Sequence, residues 1–244
     1  MPKHELADAP PHYYEGRDLE ILADMPNYYR WIMKPFYPYL GKRAVEYGAG
    51  CGTISNLLAS RVDDLDLVEP SPNLVAHLGQ RFADQKHVKI SDQSLEDHTS
   101  KTKDEMFEAV VMVNVLEHVE GDVEAVGELH RILTPDGHLC IFVPAMEWLF
   151  SDLDRRVGHH RRYHKPGLRK IIEEAGFEIV EMRYMDLIGT FPWWLLHRVL
   201  KRTDFGSPAI ATIYDRFFVP LNRLIEGVLP LPFGKNILLI ARKC

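Results

Sequence analysis

Apolar residues recur along this chain in two rhythms. Short, nearly continuous apolar runs alternate with stretches in which apolar positions fall three or four apart. Ala44-Val45-Glu46-Tyr47, Leu65-Asp66-Leu67-Val68, Phe107 to Val113 and Leu139 to Val143 belong to the first kind and read as buried strands. Phe107 to Val113 is apolar at almost every position, the pattern of a strand covered on both faces. Val123, Val126, Leu129, Ile132 and Leu133 keep helical spacing and predict a helix over 121–133. The order that results is strand 43–48, helix 53–61, strand 65–69, helix 72–84, strand 87–91, strand 107–113, helix 121–133 and strand 139–143. Ser71-Pro72 marks a capped helix start. The polar stretch 92–105 reads as a loop, and Thr134-Pro135-Asp136-Gly137 as a turn. This alternation predicts an α/β protein with a doubly wound, mostly parallel sheet.

The flanks are less regular. Residues 1–16 are polar, hold Pro10-Pro11 and predict a frayed start. From Asp18 to Tyr39 the pattern is helical and aromatic-rich, broken by Pro26, Pro35 and Pro38. That segment reads either as a lid over a ligand or as a helix packed on the sheet. Tyr28 and Trp31, three apart on one face, are its contact candidates. After Pro144 regularity lapses until helix 166–175 and strand 177–185. Residues 187–235 mix apolar and basic positions, and Asn236 to Ala241 reads as a closing strand. The expected organisation is one domain over 1–244. It comprises an N-terminal helical lid (1–40), a ligand-binding core (41–145), a helical cap with the sixth strand (146–235) and the last strand (236–244).

Composition narrows the class. The 244 residues are 46% hydrophobic and carry a net charge of −6, so no global basic field favours nucleic acid. The three cysteines are far apart and form no CxxC pair, which fits a reducing cytoplasm. The polar start suggests no signal peptide, and no apolar run approaches the roughly 20 residues of a membrane span.

The candidate chemistry begins at Glu46-Tyr47-Gly48-Ala49-Gly50-Cys51-Gly52-Thr53, a strand running into a glycine-rich turn and a helix. Alternate glycines let a ligand approach the main chain closely. About twenty residues on, a second strand ends in Glu69, the position whose carboxylate holds ribose hydroxyls in nucleotide-binding α/β folds. A dinucleotide fingerprint would need glycine at 53, where threonine stands. The spacing G-x-G-x-G, with Glu46 two residues ahead, resembles the first motif of class I S-adenosylmethionine-dependent methyltransferases.

Further segments resemble that family in order. Val68-Glu69-Pro70-Ser71 is similar to its second motif and implies Glu69 on the cofactor ribose. Ser94-Leu95-Glu96-Asp97 is similar to the adenine-side loop, with the side chain of Ser94 or Asp92 and the backbone of Leu95 toward the purine. Asn114-Val115-Leu116-Glu117-His118-Val119 resembles the fourth motif of quinone-type and small-molecule O-methyltransferases and implies Asn114 and Val115 beside the methionine portion. The resemblance implies a seven-stranded Rossmann-like sheet whose last strand returns beside the sixth. It also implies S-adenosylmethionine as cofactor.

Three features bear on the acceptor. His118, just past a parallel strand, reads either as a proton acceptor or as a loop-orienting residue that packs on the cofactor. The segment Ser151 to Lys165 is locally basic, and its Arg161, Arg162 and Tyr163 read as anchors for an anionic acceptor, with His159 or His160 as base. The alternative is a self-paired loop, with its arginines bridged to Asp152, Asp154, Glu173 or Glu174. His159, His160, His164 and Asp152 could in principle ligate a metal, but nothing fixes a metal spacing and none is expected. Finally, Trp193-Trp194 to Arg202, Phe217 to Pro220 and Ile225 to Leu231 read as core packing of cap helices. The rarer alternatives are an apolar acceptor pocket that includes Trp193, or a peripheral membrane contact. The expected function is methyl transfer to a small anionic or lipid-linked hydroxyl compound. N- or C-methylation, a nucleotide-dependent oxidoreductase opposed by Thr53, and a non-catalytic nucleoside-binding module are the alternatives.

Overall fold

The computed structural model describes residues 24–204 and 206–244. The expected frayed start and the onset of the first helix at Asp18 lie outside the described residues. Seven strands form one sheet: β1 Arg43–Tyr47, β2 Asp64–Val68, β3 Val88–Ser91, β4 Phe107–Val113, β5 Leu133–Pro144, β6 Phe177–Met185 and β7 Asn236–Lys243. Their order is β3-β2-β1-β4-β5-β7-β6. All neighbours are parallel except β7, which runs antiparallel to both β5 and β6, placing Cys140 opposite Ile240 and Met182 opposite Leu239. The strand order reverses between β1 and β4, so loops leaving their C-terminal ends open a crevice there.

Strand alternation sorts the core onto both faces of the sheet. Ala44, Ala109, Val111, Phe142, Leu238 and Ile240 pack on one face with the helices α1 Pro26–Met33 and α2 Thr53–Ala59. Val45, Val110, Met112, Leu139, Ile141 and Leu239 pack on the other, with α5 Asp122–Ile132 and α7 Lys165–Glu174. Between these lie α3 Pro72–Arg81, α4 Leu95–Lys101 and the short α6 Asp152–Arg156.

Two local expectations need correction. The stretch 92–105 is not all loop: Ser94 accepts a hydrogen bond from the Asp97 backbone N–H at 3.0 Å and starts α4. Leu95 and Thr99, one turn apart, bury against the core, and this short apolar edge is outnumbered by polar neighbours in the sequence. Ser71 stands at the N-cap of α3 but its hydroxyl makes no capping bond. Its backbone N–H turns back to Glu69 instead, at 3.0 Å.

The cap is built from α8 Leu187–Trp193, a π-helical turn Trp194–Val199, α9 Pro208–Ile213, a second π-helical turn Tyr214–Phe218 and α10 Val219–Val228. Its side chains divide. Val219 and Asn222 are buried, whereas Phe217, Leu224 and Val228 face outward, so core packing accounts for only part of this region.

Candidate active site

The turn after β1 is set by three glycines in the left-handed region, Gly48 (φ 68°), Gly50 (φ 55°) and Gly52 (φ 77°). A Cβ on Gly48 would lie 2.5 Å from Cγ2 of Val115, so the loops after β1 and β4 touch through a bare backbone. The turn is tied to β2. The N–H groups of Gly48 and Ala49 donate to the Val68 carbonyl at 2.8 and 3.3 Å. Gly50 N–H donates to Glu69 Oε2 at 2.9 Å, and Ser71 N–H, after Pro70, to Glu69 Oε1 at 3.0 Å. Glu46 is buried beneath the turn, and its Oε2 has no hydrogen-bond partner. Burial pushes its carboxyl up to about 8, with Ser55 opposing and Glu69 adding to the rise.

Three non-glycine residues adopt positive φ within two residues of a strand end on this side of the sheet: Asn114 (φ 55°) after β4, Met146 (φ 64°) after β5 and Asp186 (φ 65°) after β6. Such conformations are costly for a side-chain-bearing residue and cluster where loops are aimed at ligands.

The loop after β4 carries the titratable cluster. His118 and His159 meet edge to face with ring centroids 4.7 Å apart. His159 Nδ1 lies 2.9 Å from Asp154 Oδ1, and its Nε2 lies 3.8 Å from Glu117 Oε1. The Glu117 carboxylate is fully buried with neither oxygen hydrogen-bonded, and burial pushes it up to about 8. His118 reaches solvent at one edge. The desolvated remainder of its ring, with the neighbouring His159, lowers it to about 4, so it is neutral at pH 7. The ligand atoms of Glu117, His118 and His159 lie within 4.8 Å of one another and could hold a cation. This trio differs from the quartet weighed from sequence: His164 caps α7 by accepting from Gly167 N–H at 2.9 Å. His160 keeps an exposed ring and contributes its backbone N–H to the Glu117 carbonyl at 2.8 Å.

The basic segment is largely self-paired, as in the second of the two readings that its sequence left open. Arg162 is buried. Its Nε and Nη2 donate to Asp154 Oδ1 at 2.8 and 2.7 Å, and its guanidinium lies 4.8 Å from the Trp193 ring centroid. Arg161 pairs with Asp122 Oδ1 at 2.6 Å and donates to the Glu120 carbonyl at 2.7 Å. The Tyr163 hydroxyl donates to Asp122 Oδ2 at 2.9 Å. Arg155 pairs with Asp152 at 2.7 Å. Against the upward push of burial, His159, Arg162 and Ser151 hold the Asp154 carboxyl well below the usual carboxylate range.

Tyr28 and Trp31 pack edge to face, centroids 5.9 Å apart, and both join the core. Tyr28 also meets Phe142 of β5 at 6.3 Å. Lys235 was not foreseen. Its ammonium lies 5.5 Å from the Tyr28 and Trp193 ring centroids and 2.7 Å from Asp186 Oδ2. No local motif signals it, because its partners come from α1, α8 and the end of β6.

The cofactor implied by the glycine turn can be tested against these residues. A buried carboxylate oxygen without a partner, a glycine cradle under Val115 and a two-oxygen acidic anchor at the end of β2 fit an adenosyl amino acid with no pyrophosphate. Fold and site together have the arrangement of class I S-adenosylmethionine-dependent methyltransferases. Residues 24–182 match a family described as "Methyltransferase domain", and the chain belongs to that family. Over 158 residues it is 28% identical to a "Probable S-adenosylmethionine-dependent methyltransferase" of Mycolicibacterium smegmatis, covering 62% of this chain and 56% of that one. The match thus spans little more than half of that relative's length. Among solved structures, an S-adenosylmethionine-dependent methyltransferase of Archaeoglobus fulgidus superposes with a TM-score of 0.62 at 15% identity, covering 89% of this chain and 94% of the other. The N-methyltransferase NodS of Bradyrhizobium japonicum, in complex with S-adenosyl-L-homocysteine, gives 0.60 at 17%, covering 94% and 93%. The [4+2]-cyclase SpnF gives 0.60 at 18%, covering 96% and 87%. These identities speak to the fold alone.

Proposed function

We propose that the protein transfers a methyl group to the hydroxyl of an apolar, lipid-like acceptor. S-adenosylmethionine, when bound, supplies a methyl group already activated on a sulfonium. The protein's own residues then have three tasks: to bind, to align and to handle one proton. Gly48, Ala49 and Gly50 offer bare backbone, and Glu69 with Pro70 and Ser71 forms the ribose side. Ser94 and Leu95 form the adenine side, and Asn114 and Val115 face the methionine portion. His118 is the assigned base. It is neutral at pH 7, its backbone N–H donates to the Val115 carbonyl at 2.9 Å, and its ring leans on His159, which Asp154 orients. That juxtaposition is the observation that carries the reading. His160 is less suited, since its backbone rather than its ring joins the cluster. Internal pairing of Arg161 and Arg162 weighs against anion capture. An apolar groove of about 370 Å³ lined by Trp148, Leu187, Thr190, Phe191, Trp194 and Phe233 supports an apolar acceptor.

The test uses methyl-labelled S-adenosylmethionine with long-chain phenols beside water-soluble phenolic acids. Label in the long-chain phenols, lost in His118→Ala while S-adenosylhomocysteine still binds, is expected. Label in the acids alone overturns the acceptor class. Binding of NAD but not S-adenosylhomocysteine overturns methyl transfer itself. Binding without turnover on any acceptor favours a nucleoside-binding module.

A second reading rests on the convergence of Glu117, His118 and His159. A divalent cation held there would keep the acceptor oxygen as its anion, and His118 would be a ligand rather than a base. Calorimetric titration with Mg²⁺, Mn²⁺ and Zn²⁺, repeated on Glu117→Gln, separates the two.

A further inference from the structure

The cap contains a helical run whose apolar side faces the wrong way for a soluble core. From Pro208 to Val228 the chain is helical throughout, through α9, the π-helical turn 214–218 and α10. Ile210, Ile213, Phe217, Leu221, Leu224 and Val228 are all exposed, the last three at 45%, 67% and 75%. Their spacings of three and four residues place them along one side of the run. In an ordinary surface helix this stripe would be buried.

The opposite side is fastened to the body of the protein, by Val219 in the core and by a set of polar side chains. Asp215 accepts from the backbone N–H of Tyr28 at 2.7 Å and from Asn27 Nδ2 at 3.0 Å. Asn222 donates to Asp186 Oδ1 at 2.9 Å and accepts from Ile188 N–H at 3.0 Å. The Tyr214 hydroxyl also donates to Asp186, and Glu226 accepts from Asp186 N–H at 2.8 Å. Rolling the run to hide its stripe would break every one of these bonds, of which Tyr28–Asp215 and Asn222–Asp186 are buried. The outward display of apolar side chains is therefore built in.

Charge distinguishes the occupant. The chain is acidic overall, yet the exposed charges on this run are Arg216 and Arg223, because Asp215 is buried and Glu226 is turned inward to Asp186. Among the described residues neither arginine is ion-paired. Exposed Lys201 precedes the run, the neighbouring Arg202 being paired with Asp204 at 2.8 Å, and exposed Phe233 follows it beside the groove. An apolar stripe flanked by cations and aromatics matches an anionic lipid surface, with side chains entering the acyl boundary and guanidinium groups among the headgroups.

We propose that residues 208–228 form a docking surface for an anionic lipid bilayer, the helix lying in the interface without crossing it. No helix among the described residues is long and apolar enough to span a membrane. The docking goes beyond the methyl-transfer reading and does not depend on the acceptor.

The full chain is tested by co-sedimentation with vesicles of phosphatidylcholine alone or mixed with phosphatidylglycerol. Binding that strengthens with phosphatidylglycerol and weakens with salt is expected. Leu224→Asp and Phe217→Asp should each weaken it at least tenfold. Arg216→Glu with Arg223→Glu should abolish the preference for the anionic mixture. Each variant should keep the wild-type melting temperature and affinity for S-adenosylhomocysteine, since these side chains lie outside the core and the site. Failure of the well-folded wild type to bind either vesicle overturns the proposal. So does wild-type binding that Leu224→Asp leaves intact. Sedimentation velocity covers a second copy of this chain: a dimer abolished by Leu224→Asp, with no vesicle binding, assigns the stripe to self-association instead.

Discussion

Asp154→Asn is the sharpest probe of the site's support. Asp154 and Arg162 are both buried, and five hydrogen bonds converge on the carboxylate. Oδ1 accepts from Arg162 Nε and Nη2 and faces His159 Nδ1, while Oδ2 accepts from Ser151 N–H and Oγ at 2.9 and 2.8 Å. An amide keeps the shape but loses the charge and turns one acceptor into a donor facing N–H groups. Arg162 then remains buried without a counter-charge. Removing one partner of such a pair costs about 3–5 kcal/mol. At roughly 2–4 °C per kcal/mol for a chain of this size, the melting temperature should fall by about 6–20 °C. The pH dependence carries a sign. The native carboxyl sits below its unfolded value, so its stabilisation is complete above about pH 4 and is lost as pH falls through the native value. The gap between wild type and variant, followed by calorimetry from pH 7 downward, should hold to about pH 4 and close below it. A loss under about 1 kcal/mol, or a gap indifferent to acid, would refute the reasoning.

The remaining predictions concern neighbouring residues. Glu117→Gln tests the buried acid. Its carboxyl is raised from an ordinary 4.5 to about 8, so in that interval the native state holds a proton the unfolded chain has released, and wild-type stability drops as pH rises. The amide variant should gain on wild type between pH 5 and pH 8.5, and parallel melting curves would be the contrary result. Gly48→Ala sets a Cβ 2.5 Å from Val115 at positive φ. Affinity for S-adenosylhomocysteine by calorimetry should fall at least tenfold, and unchanged affinity would remove the bare-backbone argument. Arg161→Ala, which strips buried Asp122 of its charged partner and leaves it only the Tyr163 hydroxyl, should lower the melting temperature by a few degrees without altering cofactor affinity.

Much of the fold was legible because its signals are local. The apolar runs of β1, β2 and β4 and the helical spacing of α5 each follow from a rule spanning a dozen residues or fewer. The glycine turn announces itself for the same reason: close backbone approach demands residues without side chains at particular positions. Helix α4 escaped because two buried residues, Leu95 and Thr99, are a weak period among polar neighbours, and its start depends on a capping geometry that composition only permits.

Sequence by itself determined the alternation of strands and helices, the glycine turn with its acidic partner, and the residue types available for proton transfer. Tertiary structure alone decided which of those residues are free to act. Arg161, Arg162 and Tyr163 lie in a basic run, but folding brings Asp122 and Asp154 against them, and a paired guanidinium no longer presents an open grip for an anion. Only packing joined Glu117 and His118 to His159, some forty residues apart, and left that carboxylate buried without a hydrogen bond. The cap makes the same point in reverse: buried bonds to Asp186 and Tyr28 choose which side of the 208–228 run faces out. Hydrogen-bond partnership and burial depend on residues distant along the chain, and no local pattern encodes them.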